Sequence, residues 1–164
     1  MVQRHHTFDF DHRALRSVPV IRPPVPARLL PPWRIALPAL PNADVRRLQR
    51  ALAARPQEAP CWYVCPSAKE EFGIAILEAM EAGLPAAGPQ RGGVAHYLRD
   101  GVNGILMDTS TPTGLMRGLR RLTHISDDER RRYATAGQNL VAERFSVTRM
   151  AKELTAEYVA LERR

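Results

Sequence analysis

Val64-Cys-Pro-Ser-Ala-Lys-Glu-Glu-Phe-Gly-Ile-Ala-Ile-Leu-Glu-Ala-Met-Glu-Ala-Gly-Leu-Pro85 reads as strand, loop, helix and the approach to a second strand. Cys61 to Cys65 is short, apolar and aromatic, which suits a buried strand, and Pro66-Ser67 ends it. Phe72-Gly73 opens a helix whose apolar positions Ile74, Leu77 and Met80 keep helical spacing to about Ala82, where Gly83 and Pro85 stop it. Glu70 then lies in the loop before the helix and Glu78 about one turn inside it, so both can face one cleft. A loop at the carboxyl end of a strand, feeding a free helix N-terminus, is where open α/β sheets bind phosphorylated ligands.

The flanking segments continue the alternation. Leu84 to Gly88 is a short strand, weakened by the low strand propensity of Ala86-Ala87. Gln90-Arg91-Gly92-Gly93 is a glycine loop, in which missing side chains let backbone amides approach a ligand closely, and a helix of one to two turns follows from Val94 to Leu98. Asp100-Gly101-Val102-Asn103-Gly104 is turn chemistry before a third strand, Ile105-Leu106-Met107. Three helices close the chain. Thr111-Pro112 caps the first, with Leu115, Leu119 and Leu122 on one side. Ser126 with Glu129 forms a capping box for the second, carrying Tyr133, Ala136, Leu140 and Val141. Ser146 caps the third, where Met150, Leu154, Tyr158 and Leu161 share a side. Upstream, Asn42 is placed to cap a helix from Ala43 to about Ala53, with Val45, Leu48 and Leu52 as its apolar stripe and Arg46, Arg47 and Arg50 forming a solvated basic face.

Pro66-Ser67, Glu70, Phe72-Gly73 and Glu78-Ala79-Met80, in this order and spacing, resemble the sugar-nucleotide site of the family-four retaining glycosyltransferases (glycosyl transferases group 1), which have the two-domain GT-B fold. Gly83-Leu84-Pro85, Gly92-Gly93 and Asp100-Gly101-Val102-Asn103-Gly104 extend the resemblance, which runs from roughly Asp44 to the C-terminus. It implies a Rossmann-like parallel sheet, the second half of a GT-B C-terminal domain, with a C-terminal helical layer. It also implies transfer of a sugar from a nucleoside diphosphate sugar with retention, without a required metal or other cofactor. Carried onto this chain, the donor-binding positions are Glu70, Phe72, Gly73, Ile74, Glu78, Gly92 and Gly93. Glu78 would accept ribose hydroxyls, and Glu70, the catalytic candidate, would accept hydroxyls of the donor sugar. The family usually places an acidic residue three positions after the second glycine, where this chain has His96.

At 164 residues the chain is long enough for one domain, whereas a complete two-domain GT-B enzyme is at least about twice that length. The donor-binding part is therefore expected here, with a separate N-terminal acceptor-binding domain as partner and no segment matching the family's diphosphate-gripping basic pair. A non-catalytic remnant or nucleotide- or protein-binding module is the alternative. Residues 1–42, with eight of the fourteen prolines between Pro19 and Pro41, read as a poorly structured segment ahead of an α/β region over 43–164. His5, His6, Asp9, Asp11 and His12 can be drawn as a metal cluster, but Asp9-Phe10-Asp11 is a short, common pattern preceded only by a polar terminus, and no metal site is expected.

The net charge of +7 is almost wholly arginine, since lysine occurs only at 69 and 152. The arginines are scattered and the aromatics occupy core positions, which argues against nucleic acid. Cys61 and Cys65 point to one face of their strand and read as buried reduced thiols. No apolar run approaches about 18 residues and no signal-peptide pattern opens the chain, so a cytoplasmic protein without an integral membrane segment is expected.

Overall fold

A computed structural model describes Leu37, residues 39–54 and residues 61–162. The expectation for residues 1–42, including the His5 to His12 cluster, falls almost wholly outside them. The chain divides into a unit ending at Val45 and a compact unit, Arg46–Arg164. Of the first, the described part is little more than the start of helix α1 (Asn42–Ala53). The Pro41 carbonyl accepts from the Asp44 and Val45 amides at 2.9 and 3.1 Å. The helix therefore starts one residue earlier than its sequence suggests, with Asn42 inside it.

Three parallel strands, β1 (Tyr63–Val64), β2 (Ala86–Pro89) and β3 (Ile105–Met107), lie in the order β1-β2-β3. Tyr63 pairs with Ala86, and Ala87 with Ile105. The ladder of β1 is shorter than Cys61–Cys65, although the Cys65 amide still donates to the Ala87 carbonyl at 2.9 Å. Cys61 is half-buried, Cys65 is buried, and neither forms a disulfide.

The alanines that weaken β2 as an isolated strand are what its central place requires. Ala86 and Ala87 are fully buried on opposite faces of the sheet, each in a different core. Small side chains let helices approach from both sides; even at Gly88 an added Cβ would lie 3.1 Å from Ile76 Cδ1 and 3.3 Å from Leu98 Cδ2. One core joins Cys65, Ile76, Leu77, Met80, Val94, Tyr97 and Leu98 to the helices α2 (Ile74–Glu81) and α4 (Asp127–Arg144). The other joins Ile105, Met107, Leu122 and Tyr133, with Trp62, Val64, Leu115 and Leu119 packed against them and helix α3 (Pro112–Thr123) as cover. Burying each large side chain here is worth about 1.5–3 kcal/mol.

The helix ends are set locally. The Thr111 hydroxyl accepts from the Gly114 amide at 3.0 Å, and Ser126 and Glu129 form the full capping box. Ser146 Oγ accepts from the Arg149 amide at 3.3 Å at the head of α5 (Val147–Glu162), every residue of which is exposed where described. The basic face of α1 is not wholly solvated: Arg46 and Arg50 both reach Glu81 Oε1, at 2.7 and 3.0 Å, and tie α1 to the end of α2. Among the described residues, no helix is long and apolar enough to cross a membrane, and no group of three or more His, Cys, Asp or Glu side chains is placed to hold a metal ion.

Candidate functional site

The loop from Pro66 to Gly73 carries the chain from the end of β1 to the start of α2, and its last turn is held from two sides. Glu70 folds back so that Oε1 accepts from the Phe72 amide at 3.4 Å and the Gly73 amide at 3.1 Å. The Tyr97 hydroxyl donates to the Phe72 carbonyl at 2.7 Å, with the Gly73 carbonyl a second, longer acceptor at 3.2 Å. Gly73 is left-handed, φ 74° and ψ 52°, and a Cβ there would lie 2.8 Å from Tyr97 Oη and 2.9 Å from Ile76 Cδ1. Glycine is thus demanded by conformation and by space together.

The glycine loop comes to the same place. The Glu70 amide donates to the Arg91 carbonyl at 3.2 Å. A Cβ on Gly92, whose φ is 101°, would strike the Glu70 carbonyl oxygen, and one on Gly93 would strike that of Glu71. The sequence suggested that these glycines give a ligand access to backbone; the structure uses the space they leave to seat the Glu70–Glu71 backbone. The short helix after them is a single 3-10 turn, Gly93–His96, whose last residue, His96, is exposed.

Glu78 stands exposed on α2, and Phe72 and Ile74 are 53% and 63% exposed at its start. The ion pairs with α1 fall to Glu81. The phenol of Tyr63 is pushed above the ordinary tyrosine range by burial first, then by Cys65, Glu70 and Glu78. With Oε1 of Glu70 occupied by two amides, its second oxygen retains acceptor capacity for a ligand hydroxyl. The first turn of α2 adds the partial positive charge of a helix N-terminus.

Several contributors were not evident in the sequence. Tyr97 is 4% exposed, and its ring meets Phe145 edge-on at 5.5 Å, while Phe145 also meets Phe72 edge-on at 6.3 Å. Thr109 Oγ1 donates to the Ser67 carbonyl at 2.6 Å, so the segment after β3 is bonded to the loop after β1. Asp108, beside it, accepts from the Ser110 amide and hydroxyl; these bonds foremost, with Arg91 and Arg117 nearby, hold its carboxyl below the usual range. No local pattern announces Tyr97, Phe145 or Thr109, because each meets residues far apart in sequence. A broad, open concavity along α5, touched by Val147, Thr148, Ala151, Lys152 and Val159, includes none of the candidate site residues.

The family model described as "Glycosyl transferases group 1" matches residues 61–140. A D-inositol 3-phosphate glycosyltransferase of Thermobispora bispora is 36% identical over 128 residues, 74% of this chain and 29% of that protein. A sucrose synthase of Thermosynechococcus vestitus is 41% identical over 69 residues, 42% of this chain and 8% of that one. This chain therefore spans less than a third of the length of either relative. Among solved structures, Anabaena Alr3699/HepE in complex with UDP and glucose superposes with a TM-score of 0.58 at 22% identity, over 73% of this chain and 30% of its own. Sucrose-phosphate synthase from Thermosynechococcus elongatus superposes with a TM-score of 0.54 at 24% identity, over 60% and 24%. These likenesses establish a shared α/β fold.

Proposed function

We propose that this chain, whose residues 61–140 match the glycosyl transferases group 1 model, is the donor-binding part of a retaining glycosyltransferase that takes a sugar from a nucleoside diphosphate sugar. The observation that carries the proposal is the meeting of Glu70, the Gly92-Gly93 loop and the first turn of α2 beside the carboxyl end of β1. A uridine diphosphate sugar is the first donor to test, since the Anabaena protein was solved with UDP-glucose.

In this reading each part of the donor meets a different group. The diphosphate lies against the amides at the start of α2, each such contact contributing on the order of 0.3–2 kcal/mol. Glu78 accepts the ribose hydroxyls, and Glu70 accepts hydroxyls of the donor sugar through its remaining oxygen. Phe72 and Ile74 provide the exposed apolar flank, and Gly73, Gly92 and Gly93 fix the backbone beneath. The bond from the anomeric carbon to the diphosphate oxygen breaks with its electron pair leaving on the diphosphate. The acceptor oxygen attaches on the same face and passes its proton to the departing diphosphate oxygen.

The acceptor site belongs to a separate N-terminal domain, the basic pair that grips the diphosphate belongs to the first half of the donor-binding domain, and the assembly works in the cytoplasm. Residues 43–164 act as the donor-binding region and 1–42 as a Pro-rich lead. Alone, the chain is expected to bind UDP-glucose with a dissociation constant in roughly the millimolar range, about 4 kcal/mol. It is not expected to turn donor over usefully, because positioning of the acceptor supplies much of the rate. Calorimetric titration of the purified chain with UDP and UDP-glucose, repeated on Glu78→Ala, tests this. Loss of affinity for both ligands in the variant is the expected result; no binding by the parent chain, or equal binding by the two, overturns the assignment.

A further inference from the structure

Phe72 C=O and Gly73 N–H are the two ends of one peptide group. The Tyr97 hydroxyl holds the first at 2.7 Å and Glu70 Oε1 holds the second at 3.1 Å. Because a trans peptide is planar and its C=O and N–H point in opposite directions, turning this unit enough to lose one bond misaligns the other. Donation to the carbonyl also polarises the amide at the far end, so the two bonds reinforce each other. We propose that Tyr97 is a positioning residue for the donor sugar: through the Phe72–Gly73 peptide it fixes where the Glu70 carboxylate sits, and so where a sugar hydroxyl is received.

The inference rests on the functional reading above for its ligand, but the relay itself is a property of the unliganded chain. Tyr97 is buried, its ring is braced edge-on by Phe145, and Gly73 leaves room for its hydroxyl, since a Cβ there would lie 2.8 Å from Oη. Phe72, by contrast, is half exposed and cannot hold the turn by burial. Tyr97 does not touch the proposed ligand; its effect is exerted through Glu70.

Tyr97→Phe in the full chain removes the hydroxyl and keeps the ring. Two quantities are read: amide exchange at Gly73 by NMR, and dissociation constants for UDP-glucose and for UDP. Loss of one hydrogen bond corresponds to about 2–12-fold, so Gly73 exchange is expected to rise by that factor while the Tyr133 amide in α4 is unchanged. The constant for UDP-glucose is expected to rise by a similar factor while that for UDP stays within about twofold, because only the sugar relies on Glu70. Unchanged Gly73 exchange, or equal loss of both ligands, would overturn the proposal. If the parent chain binds neither ligand, the functional reading fails and Gly73 exchange alone decides whether the relay exists. Should Tyr97→Phe not fold, Phe145→Leu loosens the bracing ring without removing a hydrogen bond and is read in the same two ways.

Discussion

The Glu70 amide donates to the Arg91 carbonyl across 3.2 Å, so the loop after β1 and the loop after β2 meet backbone to backbone. The Gly92-Gly93 pair is the condition for that meeting. Gly92→Ala combines a left-handed φ of 101° with a collision at the Glu70 carbonyl, whereas Gly93→Ala has the collision at Glu71 without the left-handed backbone. Strain and overpacking each cost about 1–3 kcal/mol. Both variants should lower the denaturant midpoint, Gly92→Ala the more; unfolding curves that match the parent would show that the two loops separate freely.

Glu70 serves the backbone as well as the proposed ligand, and two substitutions separate the roles. Glu70→Gln retains a carbonyl oxygen for the Phe72 and Gly73 amides and should stay within about 1 kcal/mol of the parent in stability. Glu70→Ala strands both amides at the start of α2 and should cost about 1–2 kcal/mol. Both should weaken UDP-glucose relative to UDP. Thermal unfolding alongside calorimetry distinguishes the outcomes, and equal stability of Ala and Gln variants would dismiss the capping role.

Met80, within the Glu78-Ala79-Met80 motif, is fully buried, and an added Cβ at Gly137 of α4 would lie 3.1 Å from its Cε. Its part in the motif is packing. Met80→Ala should cost about 2–5 kcal/mol, measured by chemical denaturation. Met80→Leu, which nearly conserves volume, should cost less than about 1.5 kcal/mol.

Stability should fall off on both sides of neutrality. Glu81, chiefly through its bond from Arg46, Glu129 through Ser126, and Asp108 through Ser110 all have lowered carboxyl pKa values. The unfolded chain takes up protons first, around pH 4 (about the ordinary carboxylate value), so these contributions are present above that range and are lost as pH falls through it. Tyr97 behaves oppositely. Burial first, then Glu70, Cys65 and Tyr63, push its phenol well above the ordinary range. Its contribution is complete below about pH 10, where the unfolded phenol begins to ionise, and is lost as pH rises further. Denaturant midpoints across pH should show both slopes, with the alkaline one reduced in Tyr97→Phe.

What was legible in the sequence was local. Thr111 capping α3, Ser126 with Glu129 heading α4, and Ile105-Leu106-Met107 as a strand each depend on neighbours within a few residues, and each stands as expected. The parallel sheet followed from the alternation of strand and helix signals. Tyr97, Thr109 and Phe145 were not legible as parts of the site, because their partners Phe72, Ser67 and Tyr97 come from distant segments. Ala86-Ala87 misled in the other direction. Low strand propensity is a property of an exposed pleat, and in a central strand buried on both faces small side chains are what packing selects.

The interlocked loops also limit how this surface can change over time. A residue inserted between Ser67 and Glu70, or between Gln90 and Gly93, would shift one backbone into the other, since no side-chain layer separates them to absorb it. Divergence in ligand preference is therefore channelled into exchanges of exposed side chains at fixed loop length. Ile74, Glu78 and Arg91 can vary without moving a neighbouring backbone, and it is there that a lineage carrying this framework has room to explore.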